Sequence, residues 1–474
     1  MGFLNEIQDR LLPIIQSINN YLGDYLIIVI LLGVGIFFTI KTKFVQVRCL
    51  GEGFHNMFGD LSLKKKDQNT KGFSSFRAFT TAVAAQIGTG NIVGACGAIL
   101  LGGPGAIFWM WVISFFSLSI IYAEAVLALK TREIDEAGNI QGGPVYYIKR
   151  AFKGRFGKII AGFFAVAAVL TLGLIGSMVQ SNSISESFNQ AFNVPAWLIG
   201  LILVVLCGIV YLGGTKRIGS VAEKIVPFMA VFYILGCLIL LGIRIKNIPT
   251  SFFLIFKFAF NPQAILGGSI GFAIKTAISQ GAKRGLFCNE AGMGSTPHAH
   301  AQANVDVAHK QGTVAMTGAF INSFIILTLT ALVVLSVFYT KDTVMTPDVD
   351  KTKMAQIAFS SVFGEHIGSA FVALCLLFFG FSTILGWNLF GKINIIYLFG
   401  KKAVIPYSII ALAFTFMGAC FSNKLVWELQ DFVNQLMVIP NVLGLVALST
   451  IVAIEAKKQE PLSDELTIKN NIEN

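Results

Sequence analysis

Charge is what this sequence lacks. Asp, Glu, Lys and Arg make up 13% of its 474 residues, about half the roughly 25% usual in soluble domains. So few charges cannot cover the surface of a water-soluble protein of this size. That excludes a cytosolic enzyme, a disordered chain and a secreted disulfide scaffold. Paired cysteines are missing too. Cys49, Cys96, Cys207, Cys237, Cys288, Cys375 and Cys420 show no C-x-x-C spacing, and most fall in apolar runs, where thiols act as small hydrophobes. The five histidines include no H-E-x-x-H. His298-Ala299-His300 has no carboxylate or thiol close in sequence, so no metal centre is expected there. Acidic residues come early in the first 13 positions and no A-x-A site follows a basic stretch, so no signal peptide is expected. Low-complexity segments are absent.

What is present is apolar. Hydrophobic residues make up 55%, 47 glycines come on top of that, and the mean hydropathy is +0.72. A formal net charge of +11 raises the question of nucleic acid. The basic residues sit between long apolar runs, however, which is the pattern of membrane loops. A membrane span needs about 20 mainly apolar residues. Eleven candidates meet that requirement, at about 23–42, 74–101, 104–130, 157–187, 196–213, 222–243, 263–288, 311–339, 366–398, 403–421 and 425–454. These runs are far longer than barrel strands, so the expected class is an all-α integral membrane protein.

Lysine and arginine set the orientation. With the N-terminus outside, 27 basic residues fall in cytoplasmic segments and eight in external ones, and Lys275 alone lies within a span. The expected location is the plasma (inner) membrane, multi-pass, with the C-terminus cytoplasmic. Residues 1–73 then comprise an interfacial segment, an extra span and a loop containing Lys64-Lys65-Lys66. Residues 457–474 are a polar tail.

Two spans carry clustered helix breakers. One reads Gly88-Thr89-Gly90-Asn91, four poor helix formers in a row. The other runs from Gly267 to Gly281 and includes Ser269, Gly271, Lys275 and Ser279-Gln280. They open two sets of five spans, 74–243 and 244–456, which an odd count makes inverted repeats. Interrupted helices at matching places in two inverted halves point to a transporter's binding site. A break frees amides suited to a carboxylate and carbonyls suited to a small cation. Gly90-x-x-x-Gly94 fits a helix-packing contact equally well.

Other mid-span polar groups add candidates. Adjacent hydroxyls at Ser382-Thr383 suit a hard cation, and they also suit bonds back to their own helix. Gln180 and Asn182 offer buried amides. Lys275 pairs with a carboxylate, replaces a cation or faces a water-filled vestibule. Glu124 and Glu186 are expected near span ends. Gly267-x-Ser269-x-Gly271 has no preceding strand and is not a hydrolase elbow.

Three blocks carry a family resemblance: Gly102-Gly103-Pro104-Gly105-Ala106-Ile107-Phe108-Trp109-Met110-Trp111-Val112, Gly142-Gly143-Pro144-Val145-Tyr146-Tyr147-Ile148, and Arg284-Gly285-Leu286-Phe287-Cys288-Asn289-Glu290-Ala291-Gly292-Met293-Gly294-Ser295. Over about residues 20–455 the chain resembles the alanine or glycine:cation symporters, the sodium:alanine symporter family. Ser117 and Cys288 depart from its usual glycine and serine. The resemblance implies a leucine-transporter-like fold with a 5 + 5 inverted repeat, no catalytic residues, and sodium as coupling ion with no other cofactor. It implies that the amides of Thr89 and Gly90 hold the substrate carboxylate. Sodium would be held by the carbonyls of Ala84, Ile87 and Phe379 and the hydroxyls of Ser382 and Thr383. Asn91 is a substrate-site residue at or near a second cation position, and Gln180, Ser279 and Trp387 supply the ammonium contact and pocket walls. The expected activity is sodium-coupled import of a small neutral amino acid, alanine or glycine. Its partners are that substrate, sodium and the bilayer, with no nucleic acid and no protein partner. The rival is proton coupling through Lys275 or an acid, and far behind it a channel or membrane-embedded enzyme.

Overall fold

The computed structural model describes residues 2–59, 73–134, 140–260, 270–339, 350–458 and 462. In chain order the elements used below are α1 (Arg10–Lys41), α2 (Leu50–Gly59), α3 (Ser75–Gln86), α4 (Val93–Gly102), α5 (Gly105–Lys130), α6 (Pro144–Ala151), α7 (Gly154–Phe192), α8 (Ala196–Leu212) and α9 (Gly214–Ile243). Then follow α10 (Ile248–Phe260), α11 (Ile270–Asn289), α12 (Pro297–His300), α13 (Ala308–Phe338), α14 (Lys351–Phe363), α15 (Glu365–Phe399), α16 (Val404–Cys420), α17 (Asn423–Ala447) and α18 (Ser449–Lys458). Among the described residues the strands amount to one short antiparallel pair, Glu133–Ile134 with Ile140–Gln141.

With α16 counted from Lys401, eight of these helices are long and apolar enough to cross a membrane, and nine if the bent pair α3–α4 counts as one span. α8, at 17 residues, is a shorter apolar helix. Their outward faces carry bare hydrocarbon: Val29, Ile159, Leu201, Phe228 and Ile405 are all exposed. Such a belt is costly in water and costs nothing against lipid.

The interior is polar by comparison, and local chemistry sets where helices stop. Ser74 caps α3, accepting from the Arg77 amide at 3.1 Å. α3 ends at Gln86 because Gly88 is extended, at φ −110° and ψ −165°. A single 3₁₀ turn, Thr89–Asn91, leads into α4 at a bend of 57°. Gly103, at φ +70°, turns the chain again before Pro104 opens α5.

Among the described residues, an interruption follows α11 rather than falling within it. α11 is continuous from Ile270 to Asn289, so Ser279-Gln280-Gly281 does not break it; Gly267, Gly268 and Ser269 lie outside the described residues. Gly281 is a packing glycine: a methyl there would come within 2.5 Å of the Ala106 carbonyl oxygen. The helix unwinds after Asn289. Glu290, Gly292 and Gly294 all take left-handed conformations, at φ +57°, +76° and +77°. Residues 291–303 are buried throughout, so this stretch is interior rather than the solvent-facing loop its basic neighbours suggest.

Candidate functional site

The first break is built around Gly88. A methyl there would lie 2.8 Å from Thr383 Oγ1 and 3.2 Å from Gln180 Oε1. Only glycine lets α7 and α15 close on the unwound backbone. The Thr89 amide, freed by the break, donates to Gln180 Oε1 at 3.1 Å. A side-chain oxygen from α7 thus fills the acceptor position that a carboxylate oxygen would take.

Beside it, three oxygens converge, with a fourth farther off. Thr383 Oγ1 lies 2.8 Å from the Ala84 carbonyl and 2.9 Å from the Phe379 carbonyl, with the Ala85 carbonyl at 3.4 Å. Ile87 follows directly, capping the end of α3. Ser382 turns away: its hydroxyl donates to the Phe379 carbonyl at 3.0 Å and faces Met229 Sδ on α9 at 3.4 Å. The adjacent hydroxyls therefore split, since successive helical positions point about 100° apart.

A second polar group lies across the break. Asn91 Nδ2 and Asn322 Nδ2 both approach the Gln86 carbonyl, at 3.3 and 3.5 Å. Their oxygens, Asn91 Oδ1 and Asn322 Oδ1, are buried with no hydrogen-bond partner among the described residues, as is Thr89 Oγ1. Buried polar atoms are normally satisfied, so this set is suited to a polar or charged guest. Asn322 was not legible in the sequence: it sits in a mid-span π-turn, Ile321–Ile326, with no glycine to mark it.

The second break closes the far wall. Glu290 Oε1 accepts from Trp387 Nε1 at 2.7 Å, and Glu290 Oε2 accepts from the Ser295 hydroxyl. Trp387 also packs against Gly176, where a methyl would come within 2.5 Å of the ring. Cys288 Sγ faces the Gly90 carbonyl at 3.3 Å. Ser279 is not part of this wall. It lies nine residues before Cys288 on the same helix, about 14 Å along the axis. Its neighbours Ala277 and Gln280 pack at Gly102, on the turn between α4 and α5.

Glu124, expected near a span end, is fully buried. Its Oε1 accepts from the Gly294 amide at 3.0 Å and from Asn441 Nδ2 at 2.7 Å, holding the left-handed loop to α17. Asn182, the other amide of α7, donates to the Gly418 and Phe421 carbonyls at 3.0 and 2.8 Å and so fixes α16 rather than the break. Lys275 is exposed, and its Nζ donates to the Tyr25 hydroxyl and lies 4.7 Å from that ring.

A charged layer covers one end of the molecule. Arg284 on α11 pairs with Asp431 on α17 through two bonds, at 3.2 and 2.9 Å. The Arg284 guanidinium lies 5.2 Å from the Trp427 ring and Lys351 Nζ lies 4.2 Å from the same ring. Burial pushes Lys351 down to about 7, and the Arg284 charge pushes the same way. Arg284 and Lys351 therefore share one end, whereas the basic-residue tally sets them on opposite sides.

A 0.55 TM-score likeness to the crystal structure of MhsT in complex with L-phenylalanine, at 14% identity, covers 82% of this chain and 90% of that one. It shows a shared fold. The sodium:alanine symporter family matches residues 8–466. The chain belongs to that family. The symporter is 40% identical to the sodium/alanine symporter AgcS of Methanococcus maripaludis, over 94% of this chain and 96% of that one. It is 37% identical to the probable sodium/glutamine symporter GlnT of Bacillus subtilis, over 94% and 92%. It is also 37% identical to the putative sodium/proton-dependent alanine carrier protein YrbD of Bacillus subtilis, over 94% and 92%. The symporter is a multi-pass membrane protein of the amino-acid:cation class and not an enzyme.

Proposed function

We propose that this symporter imports a small neutral amino acid, alanine or glycine, together with sodium. The observation that carries this reading is the meeting of Thr383 Oγ1 with the Ala84 and Phe379 carbonyls directly beside the Gly88–Asn91 break. Hard oxygens suit a hard cation, and the freed amides of Thr89 and Gly90 suit a carboxylate. Sodium would be held by Ala84, Ile87, Phe379 and Thr383, with Ser382 needing a rotamer change to join. Asn91 and Asn322 form a second cation position. Substrate carboxylate displaces the Gln180 amide from Thr89, and the ammonium end faces Trp387 and Glu290. The close approach of Thr383 and Gln180 to Gly88 favours a short side chain.

The chain would cross the membrane eleven times, with residues 74–243 and 244–456 as inverted repeats and the N-terminus outside. The Arg284–Asp431 layer then lies on the external face and closes the path from that side. Cation binding orders the first break for substrate, and the two halves rock around the site. The ion gradient drives the cycle, with each charge worth about 2.3 kcal/mol per 100 mV.

Proton coupling is a second reading with one observation in its favour. Glu124 Oε2 is buried and has no hydrogen-bond partner among the described residues, so a proton there displaces no bond. A panel of competing amino acids, tested on purified protein in vesicles with and without sodium, separates the readings. Competition by alanine and glycine that requires sodium supports the first. Competition that needs only an inward proton gradient supports the second.

A further inference from the structure

Among the described residues, the symport reading leaves a cluster of ligand-type side chains unused, at the opposite end from Arg284. Cys49, Glu52 and His309 each bring one ligand atom within 4.8 Å of the other two. Cys49 immediately precedes α2 and Glu52 lies in its first turn. His309 comes from the first turn of α13. Its Nε2 lies 3.3 Å from Glu52 Oε2. Two ligands about 2.1 Å from a tetrahedral ion are about 3.4 Å apart, so this pair already has the required spacing.

The other ring nitrogen is fixed. His309 Nδ1 lies 2.7 Å from the hydroxyl of Tyr122, a wholly buried residue of α5. A metal-bound histidine characteristically gives its second N–H to an oxygen, which sets the ring's orientation. Here that support is in place. Cys49 and His309 are buried while Glu52 reaches solvent, so an ion has a way in from the Glu52 side.

We propose that Cys49, Glu52 and His309 form a three-ligand site for a zinc-class divalent transition-metal ion, with water in the fourth position. One thiolate, one imidazole and one carboxylate suit a borderline-soft ion. Sodium, magnesium and calcium prefer all-oxygen sets. Binding releases one proton, from the Cys49 thiol. The imidazole coordinates through Nε2, and its Nδ1–H donates to the Tyr122 oxygen. Nearby charges are already engaged. Arg48 donates to the Lys43, Thr42 and Ala456 carbonyls. Glu455 accepts from the His309 amide and pairs with Lys130.

The site staples α2 to α13. Two residues further along α13, Gln311 joins Ser75 of α3 and His300 of α12 at 2.7 and 2.9 Å. A metal ion here would therefore brace the segments that carry both breaks. The site stands on its own residues and does not depend on which amino acid or ion is transported.

Cobalt titration of the full-length, reduced protein in detergent tests the proposal. One equivalent of Co²⁺ should give a four-coordinate visible spectrum with a thiolate-to-cobalt charge-transfer band, and Zn²⁺ should displace it. Cys49→Ser should abolish the charge-transfer band. Glu52→Gln, at an exposed position that leaves folding intact, should weaken binding by roughly tenfold or more. Cys420→Ser, at the one exposed thiol, should keep the full signal. A protein without the band, a Cys49→Ser variant that retains it, or a Cys420→Ser variant that loses it would each overturn the site.

Discussion

Gln86 Nε2 donates to the backbone carbonyl of Asn289 at 3.0 Å. Gln86 is the last residue of α3 and Asn289 the last of α11. A single side chain therefore joins the two helix ends at which the chain unwinds. Both breaks are buried, so neither end is satisfied by bulk water, and the bond couples their positions.

Removing that bond should separate the two breaks. Gln86→Leu leaves the Asn289 carbonyl without this donor in the interior, a loss of about 1–3 kcal/mol. The expected result is a lower unfolding temperature and slower transport. An unchanged temperature and rate would mean that the bond carries no coupling.

Thr383→Ala removes the hydroxyl that meets Ala84 and Phe379. At about 1.4 kcal/mol per factor of ten, loss of one buried oxygen ligand should raise the half-saturating sodium concentration roughly tenfold. Ser382→Ala should have a much smaller effect, because its hydroxyl faces Met229. Equal effects of the two substitutions would contradict the three-oxygen arrangement.

Gly88→Ala should abolish uptake while the protein still inserts. Its methyl would press on Thr383 Oγ1 and Gln180 Oε1. Gly33→Ala, a position with open space around it, is the matched control and should transport normally. Binding measured per folded molecule distinguishes a filled site from a misfolded one.

Much of this architecture was legible in the sequence, and the failures share a cause. Composition and apolar run length identify the membrane class. Gly88-Thr89-Gly90-Asn91 marks the first break because four poor helix formers adjoin. Of the second candidate stretch, Gly267–Gly281, the part from Ile270 is helical and Gly281 serves close packing. The break after Asn289 contains Glu290, and helix propensity does not foresee an acid in a left-handed conformation held by Ser295 and Trp387. Thr383 was identifiable as half of a hydroxyl pair, but which of the two faces Ala84 depends on helix rotation. Asn322 and Glu124 carry no local signal, since their partners lie far away in sequence.

Lys351 gives a pH prediction. Its folded value is lowered to about 7, from an ordinary value of 10.5, by burial and then by Arg284, while Asp431, Asp350 and Glu186 oppose the shift. From about pH 7 to 10.5 the unfolded lysine holds a proton that the folded one lacks, so its contribution to stability rises with pH across that window. That contribution is lost as pH falls through about 7. Lys351→Met removes the titration. The gain in unfolding temperature of Lys351→Met over the native protein should be largest below pH about 7 and shrink toward pH about 10. A gain independent of pH would contradict the burial of that charge.

The central claim, coupled entry of sodium and a small amino acid, is tested most directly by electrogenic uptake. Purified protein in sealed vesicles, held at equal pH on both sides, is given radiolabelled alanine with an inward sodium gradient. The account predicts saturable accumulation accompanied by inward positive current, with both lost when choline replaces sodium. Accumulation that proceeds unchanged in choline would contradict it.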